Sequence, residues 1–401
     1  MTPSPGESIR PFRLTIPQSD LDDLYDRLDR TRWPEELPGA GWAYGVPADY
    51  LRELAGYWRG SYDWRAAEAR LNELPQFTTT IDGANIHFAH VRSPEPDATP
   101  LIMTHGWPGS IVEFLDVVGP LTDPAAHGGD PADAFHLVLP SLPGFGLSGP
   151  TEQPGWEPGR IADAWAELMD RLGYPRFGVQ GGDWGAAVSR ELGRAHPDRV
   201  IGVHLTLLPG AQATSEPTAE ELAALDPGER ERTLRSWRRW AEWSREGTGY
   251  GIVQSTRPHT VAYGLTDSPV GQLAWIVEKF REWTDSAETP EDAVDRDLML
   301  TDVMLYWLTR TAGSSARIYY ERAHATGRRA APAEPSTAPT ALAVFPAELQ
   351  LPLRHRAERT ENIVRWTEFD RGGHFAAMEV PDLLTGDVRA FFRLLGERDA
   401  G

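Results

Sequence analysis

An α/β fold with a mostly parallel central sheet is what this sequence predicts, and three observations carry it. Short apolar runs alternate with helical patterns between about residues 76 and 209. The alternation then stops for a mainly helical interval over about 210–335, and it resumes from 336 to the C-terminus. The 401 residues, 40% of them hydrophobic, suffice for a large core divided into two or three structural units.

The chain opens on an amphipathic helix over 19–32, where Leu21, Leu24, Tyr25 and Leu28 fall at helical spacing behind Ser19, the expected N-cap. Trp42, Tyr50, Trp58, Tyr62 and Trp64 follow, interrupted by Pro and Gly, so residues 1–75 read as an N-terminal extension wrapping over another core. Strands are expected at 86–91, 101–104, 136–139, 177–180 and 200–205, with crossover helices at 160–172 and 186–195; together these give the first part of the core, 76–209. Residues 210–335 read as an inserted helical cap, ending in an Ala/Pro-rich stretch over 329–341 that is expected to be a surface loop. The second part of the core, 336–401, contributes strands at 342–345 and 363–369 and a closing helix at 383–395.

Composition narrows the partners. Acidic residues outnumber basic ones 59 to 39, and the net charge of -20 repels polyanions, so nucleic acid is excluded and a small neutral substrate is expected. Cysteine is absent, which excludes a disulfide framework, a thiolate zinc site and a cysteine nucleophile. Residues 1–12 lack a signal-peptide core, and no run approaches the roughly 18 apolar residues of a membrane span, so a soluble, unanchored, cytoplasmic protein is expected.

Chemistry concentrates at strand ends. A strand ending at Gln180, the turn Gly181-Gly182-Asp183-Trp184-Gly185 and a helix starting near Ala186 make a nucleophile elbow with Asp183 in the place usually held by Ser. Small residues at Gly181 and Gly185 let strand and helix approach. Viewed alone, the turn fits equally well a glycine-rich connection with an Asp helix cap. His105-Gly106-Trp107-Pro108 follows another strand, where a loop can aim a backbone N–H at an oxyanion; the N–H groups of Trp107 and Trp184 are the candidates. His374, in Arg371-Gly372-Gly373-His374-Phe375, lies just after the last strand with an acid upstream, completing the nucleophile, acid, base order of α/β hydrolases. Two acids compete to orient it. Glu348, after the penultimate strand, has the better position, and Asp370, four residues before His374, sits in the same turn.

With these motifs in place the chain resembles the epoxide hydrolases of the microsomal type, a group that includes bacterial and fungal members and insect juvenile hormone epoxide hydrolases. The resemblance runs from Pro11-Phe12 and Arg32-Trp33-Pro34 through His105-Gly106-Trp107-Pro108, Gly182-Asp183-Trp184-Gly185 and Phe345-Pro346 with Glu348 to Gly372-Gly373-His374-Phe375. It implies an α/β-hydrolase fold and two cap tyrosines, Tyr250 and Tyr319, that donate hydrogen bonds to an epoxide oxygen; a phenol with pKa near ~10 is still protonated at neutral pH. Membrane-bound members of the family carry a hydrophobic N-terminal anchor that this sequence lacks, so membrane association is not carried over.

The expected reaction is attack by Asp183 on an epoxide carbon, followed by hydrolysis of the resulting ester by water that His374, neutral near pH 7 and oriented by Glu348, deprotonates. A vicinal diol leaves, and neither metal nor organic cofactor is called for. Expected partners are a small epoxide, cis-substituted or bulky, and water; a biosynthetic or a detoxifying role and a homodimer are left open. Two rivals remain at this point: a haloalkane dehalogenase, which uses the same Asp, His and acid but needs N–H donors for halide, and a ligand-binding homologue without turnover.

Overall fold

The computed structural model describes residues 8–326 and 335–400. Among them, nine strands form one sheet: β1 (Arg10–Phe12), β2 (Gln76–Ile81), β3 (Ala84–Val91), β4 (Thr99–Thr104), β5 (Phe135–Pro140), β6 (Phe177–Gly181), β7 (Val200–Leu205), β8 (Pro339–Val344) and β9 (Asn362–Glu368). Their spatial order is β1-β2-β3-β5-β4-β6-β7-β8-β9. From β5 to β9 all neighbours are parallel, while β1, β2 and β3 are added antiparallel at one edge. This is the α/β-hydrolase fold. Apolar runs such as Phe177-Gly178-Val179 are buried on both faces because helices, among them Pro158–Arg171, Asp183–Ala195 and Pro381–Ala400, cover the two sides of the parallel part.

Two strands were not legible. β1 is three residues long, too short to show a period, and it carries Pro11, which an edge strand tolerates because one side of its backbone needs no ladder donor. β2 reads Gln-Phe-Thr-Thr-Thr-Ile, whose threonines hide the apolar alternation. The first helix starts at Gln18 with Pro17 in the N-cap position, and Ser19 lies inside it without capping. Of the Ala/Pro-rich stretch expected as a loop, 329–334 lies outside the described residues, and from Pro339 the chain is already β8.

Between β7 and β8 the chain is helical, and its punctuation explains where the helices begin. Asp226, Ser268 and Asp295 each accept a backbone N–H three residues on, and Pro227 and Pro269 occupy first helical positions. The helix Arg296–Thr309 is buried continuously from Leu298 to Trp307, which an element needs when it is enclosed on all sides. It sits between the extension and the loop that follows β4. On one side Tyr62 Oη is 2.9 Å from Thr301 Oγ1; on the other Ser110 Oγ donates to Asp302 Oδ1 at 2.5 Å and Tyr306 Oη to the Gly109 carbonyl at 2.7 Å. Helices from Gln18–Asp29 to Trp64–Leu71 thus pack against the inserted helices from outside, with Tyr50 donating to Glu291 and Tyr57 to Asp297.

Candidate active site

Strand β6 runs almost directly into the helix Asp183–Ala195, with Gly182 extended at φ -113° and ψ 168° between them. Asp183 takes φ 46°, a left-handed conformation that costs a non-glycine residue about 1–2 kcal/mol. Crowding explains why the turn must be made here. A Cβ on Gly181 would lie 2.3 Å from the Gly185 carbonyl, and one on Gly185 would lie 1.8 Å from the Thr104 oxygen. Strand and helix can approach only with hydrogen at both positions, and the resulting turn presents the Asp183 carboxylate at the C-terminal edge of the sheet instead of capping the helix.

The loop after β4 meets it there. Trp107 N–H donates to Asp183 Oδ1 at 2.8 Å. His105 shapes the loop: Leu142 N–H donates to its Nε2 at 3.1 Å, which leaves Nδ1 to donate to the Gly106 carbonyl at 2.9 Å. Burial pushes the His105 pKa down to about 4, so the ring remains the neutral tautomer that both bonds require. Gly106 passes so close beneath Asp183 that a Cβ there would come within 2.3 Å of the Asp183 side chain, and the Trp107-Pro108 peptide is cis. Trp184 is the second residue of its helix, in the first turn, whose N–H groups lack intrahelical acceptors. Its indole stands edge-on to the Tyr319 ring at 4.7 Å.

His374 lies between two carboxylates. Its Nδ1 is 2.8 Å from Glu348 Oε1 and its Nε2 is 3.5 Å from Asp183 Oδ2. Glu348 is itself held by the Leu349 N–H at 2.6 Å, whereas Asp370 is exposed. Burial acts to lower the His374 pKa, but the charges and hydrogen bonds of Glu348 and Asp183 outweigh it and raise it well above the ordinary histidine value. Any event that removes the Asp183 charge removes one of the two causes and makes the ring easier to deprotonate. Glu348→Gln removes the other. If the rate depends on a neutral His374, the acid limb of the kcat–pH profile is therefore expected to move to lower pH in Glu348→Gln, with the plateau about 100-fold below wild type because the imidazolium formed in the transition state loses its counter-charge. An unmoved limb would assign the orienting role elsewhere.

Tyr250, in the helix Gly249–Thr256, and Tyr319, in the helix Arg317–Ala323, hang over Asp183 from the inserted segment. Tyr250 stacks on Trp107 at 5.1 Å, and Tyr319 meets Trp107 edge-on at 5.9 Å and Tyr250 at 5.8 Å. Tyr320, the adjacent alternative, is 37% exposed and stacks on His324 instead. Burial, with the Asp183 charge nearby, raises both phenol pKa values above the ordinary range, so each hydroxyl keeps its proton. Asp183, Trp184, Tyr250, Tyr319, Leu207 and Leu349 line a cavity of about 320 Å³, whose lining also includes charged side chains, among them Glu157, Arg190, Glu191 and Arg322. Two contributors went unread in the sequence. Trp283 packs edge-on to His374 at 5.0 Å, and Lys279, the sole lysine, is buried over the Tyr250 ring at 4.8 Å while paired with Glu278 and Glu282. Only their helical spacing was visible; which groups they face depends on how the inserted helices seat on the sheet.

Comparison with known proteins adds an independent line. Residues 9–114 match the family described as epoxide hydrolase N terminus, and 99–248 match the alpha/beta hydrolase fold. A Stigmatella aurantiaca protein whose name carries the words epoxide hydrolase is 47% identical over 96% of this chain and 85% of its own length. Epoxide hydrolase 1 of Sus scrofa is 35% identical over 98% of this chain and 90% of its own. Among solved structures, the Aspergillus niger epoxide hydrolase superposes with a TM-score of 0.83 at 33% identity, covering 97% of each chain. No helix among the described residues is long and apolar enough to cross a membrane.

Proposed function

The chain belongs to the epoxide hydrolase family, and from that premise we propose that it opens an epoxide to a vicinal diol through an ester on Asp183. The observation that carries this reading is the placement of one carboxylate between three kinds of partner: the Trp107 N–H on Oδ1, His374 beside Oδ2, and two protonated tyrosines across the cavity. Oδ2, the oxygen without the backbone donor, attacks a ring carbon while Tyr250 and Tyr319 hold the epoxide oxygen and one of them gives it a proton. The C–O bond of the ring breaks, and a hydroxyalkyl ester forms. Esterification cancels the Asp183 charge, so His374 loses a cause of its raised pKa and sheds its resting proton to solvent, from which it regains one as Asp183 re-ionises. His374 takes a proton from water, the water oxygen attacks Cγ, and Oδ1 carries the negative charge against the Trp107 N–H, with Trp184 as the second donor. The C–Oδ2 bond then breaks; His374 returns its proton to the departing diol, and the phenol recovers its own as Asp183 re-ionises.

A carboxylate suits this sequence because the ester carbonyl remains on the protein within reach of the same donors; a serine ether would offer no carbonyl. The tyrosines favour epoxide over alkyl halide, since a departing halide needs no proton. Tyr250→Phe and Tyr319→Phe are each expected to slow ester formation from styrene oxide about 10- to 100-fold, and the double variant about 10³-fold. A wild-type protein that turned over a haloalkane and not styrene oxide, or a double variant as fast as wild type, would favour the dehalogenase reading. Binding of styrene oxide without product would favour the reading as a ligand-binding homologue without turnover.

A further inference from the structure

The loop carrying His374 is fastened to the inserted helical segment as well as to the core. Gly372 N–H donates to Asp285 Oδ2 at 3.0 Å, and His374 N–H donates to the Trp283 carbonyl at 2.8 Å. Glu379 closes the seam from the core side: its Oε1 accepts the Phe375 N–H at 2.9 Å and its Oε2 accepts the Asp285 N–H at 2.8 Å. Residues on both sides of His374 are thus tied to the end of the helix Pro269–Trp283. That same helix supports Tyr250, through Trp283 at 5.2 Å and Lys279 at 4.8 Å. None of these bonds touches Asp183, whose position is set by the elbow and by Trp107.

We propose that Glu379 and Asp285 are positioning residues for the hydrolytic half of the reaction, holding the imidazole in register with the seated cap. The inference rests on the ester reading above. A base misplaced by about 1 Å loses roughly 10²-fold in rate. The peptide at 372–373 consists of two glycines, so without its acceptors little in the loop itself fixes where the ring points. Attack on the epoxide does not use the ring as a base and is spared.

Single turnovers of the full chain with styrene oxide, quenched and weighed as intact protein, separate the two halves. In Asp285→Ala the hydrolysis rate constant is expected to fall about 10-fold and in Glu379→Ala about 100-fold, with kcat and KM falling together and ester formation within about threefold of wild type. Glu379→Gln, which retains one acceptor for two N–H groups, should lie between Glu379→Ala and wild type. Asp285 is exposed, so its variant decides the matter even if Glu379→Ala does not fold. Normal hydrolysis in a folded Asp285→Ala, or equal slowing of both halves, would overturn the inference. Absence of ester in every protein tested, His374→Gln included, would instead overturn the ester reading and this inference with it.

Discussion

His374→Gln is expected to take up one equivalent of epoxide and stop, its intact mass rising by the mass of the substrate while multiple turnover falls about 10³- to 10⁴-fold. The reasoning is that Asp183 Oδ2 and the two tyrosines, to which the proposed mechanism assigns ester formation, lose nothing they depend on for bond formation, whereas water loses the base that the same mechanism assigns to it. Gln keeps the shape of the side chain and can still bond to Glu348, so the loop held at Trp283, Asp285 and Glu379 has no cause to move. A small part of the effect runs the other way. With the imidazolium gone, the Asp183 carboxylate loses a cation at 3.5 Å and becomes a slightly better nucleophile. A variant that turns over at the wild-type rate would show His374 misassigned.

Asp183→Asn is expected to abolish the first step itself, lowering kcat at least about 10⁴-fold with no mass increase at any time. Asn is the informative replacement because it tolerates the left-handed conformation that Asp183 adopts, at φ 46°, and fills the same volume beside Gly106. Its amide can still accept the Trp107 N–H, so thermal stability should stay within a few degrees of wild type and the lost rate can be read as lost nucleophilicity. Together the two variants separate bond making from bond hydrolysis.

How much of this was visible beforehand depended on where the information sits along the chain. The elbow and the loop at His105 each occupy a few consecutive residues, and close backbone approach demands glycine at fixed spacing, so Gly181, Gly185 and Gly106 announce their geometry. Strands buried on both faces, such as β6, appear as apolar runs. The short edge strand β1 has no such signature, and the threonines of β2 conceal one. Least legible were contacts between remote segments. The Asp285 to Glu379 bond joins residues 94 apart, and neither residue lies in a motif that would single it out. The same holds for protonation. The rise in the His374 pKa follows from two carboxylates converging on one ring, Asp183 from one strand end and Glu348 from another, and no local pattern encodes the 2.8 Å and 3.5 Å that decide it.

The ester on Asp183 is the point on which everything else turns, and the isotope content of a single turnover tests it most directly. With enzyme in excess over styrene oxide in ¹⁸O-water, the new diol oxygen should come from Asp183 Oδ2 and carry no label, while ¹⁸O appears in the Asp183 carboxylate of the peptide spanning the elbow. Label in the first diol, with an unlabelled Asp183, would mean that water attacks the epoxide itself and would contradict the mechanism.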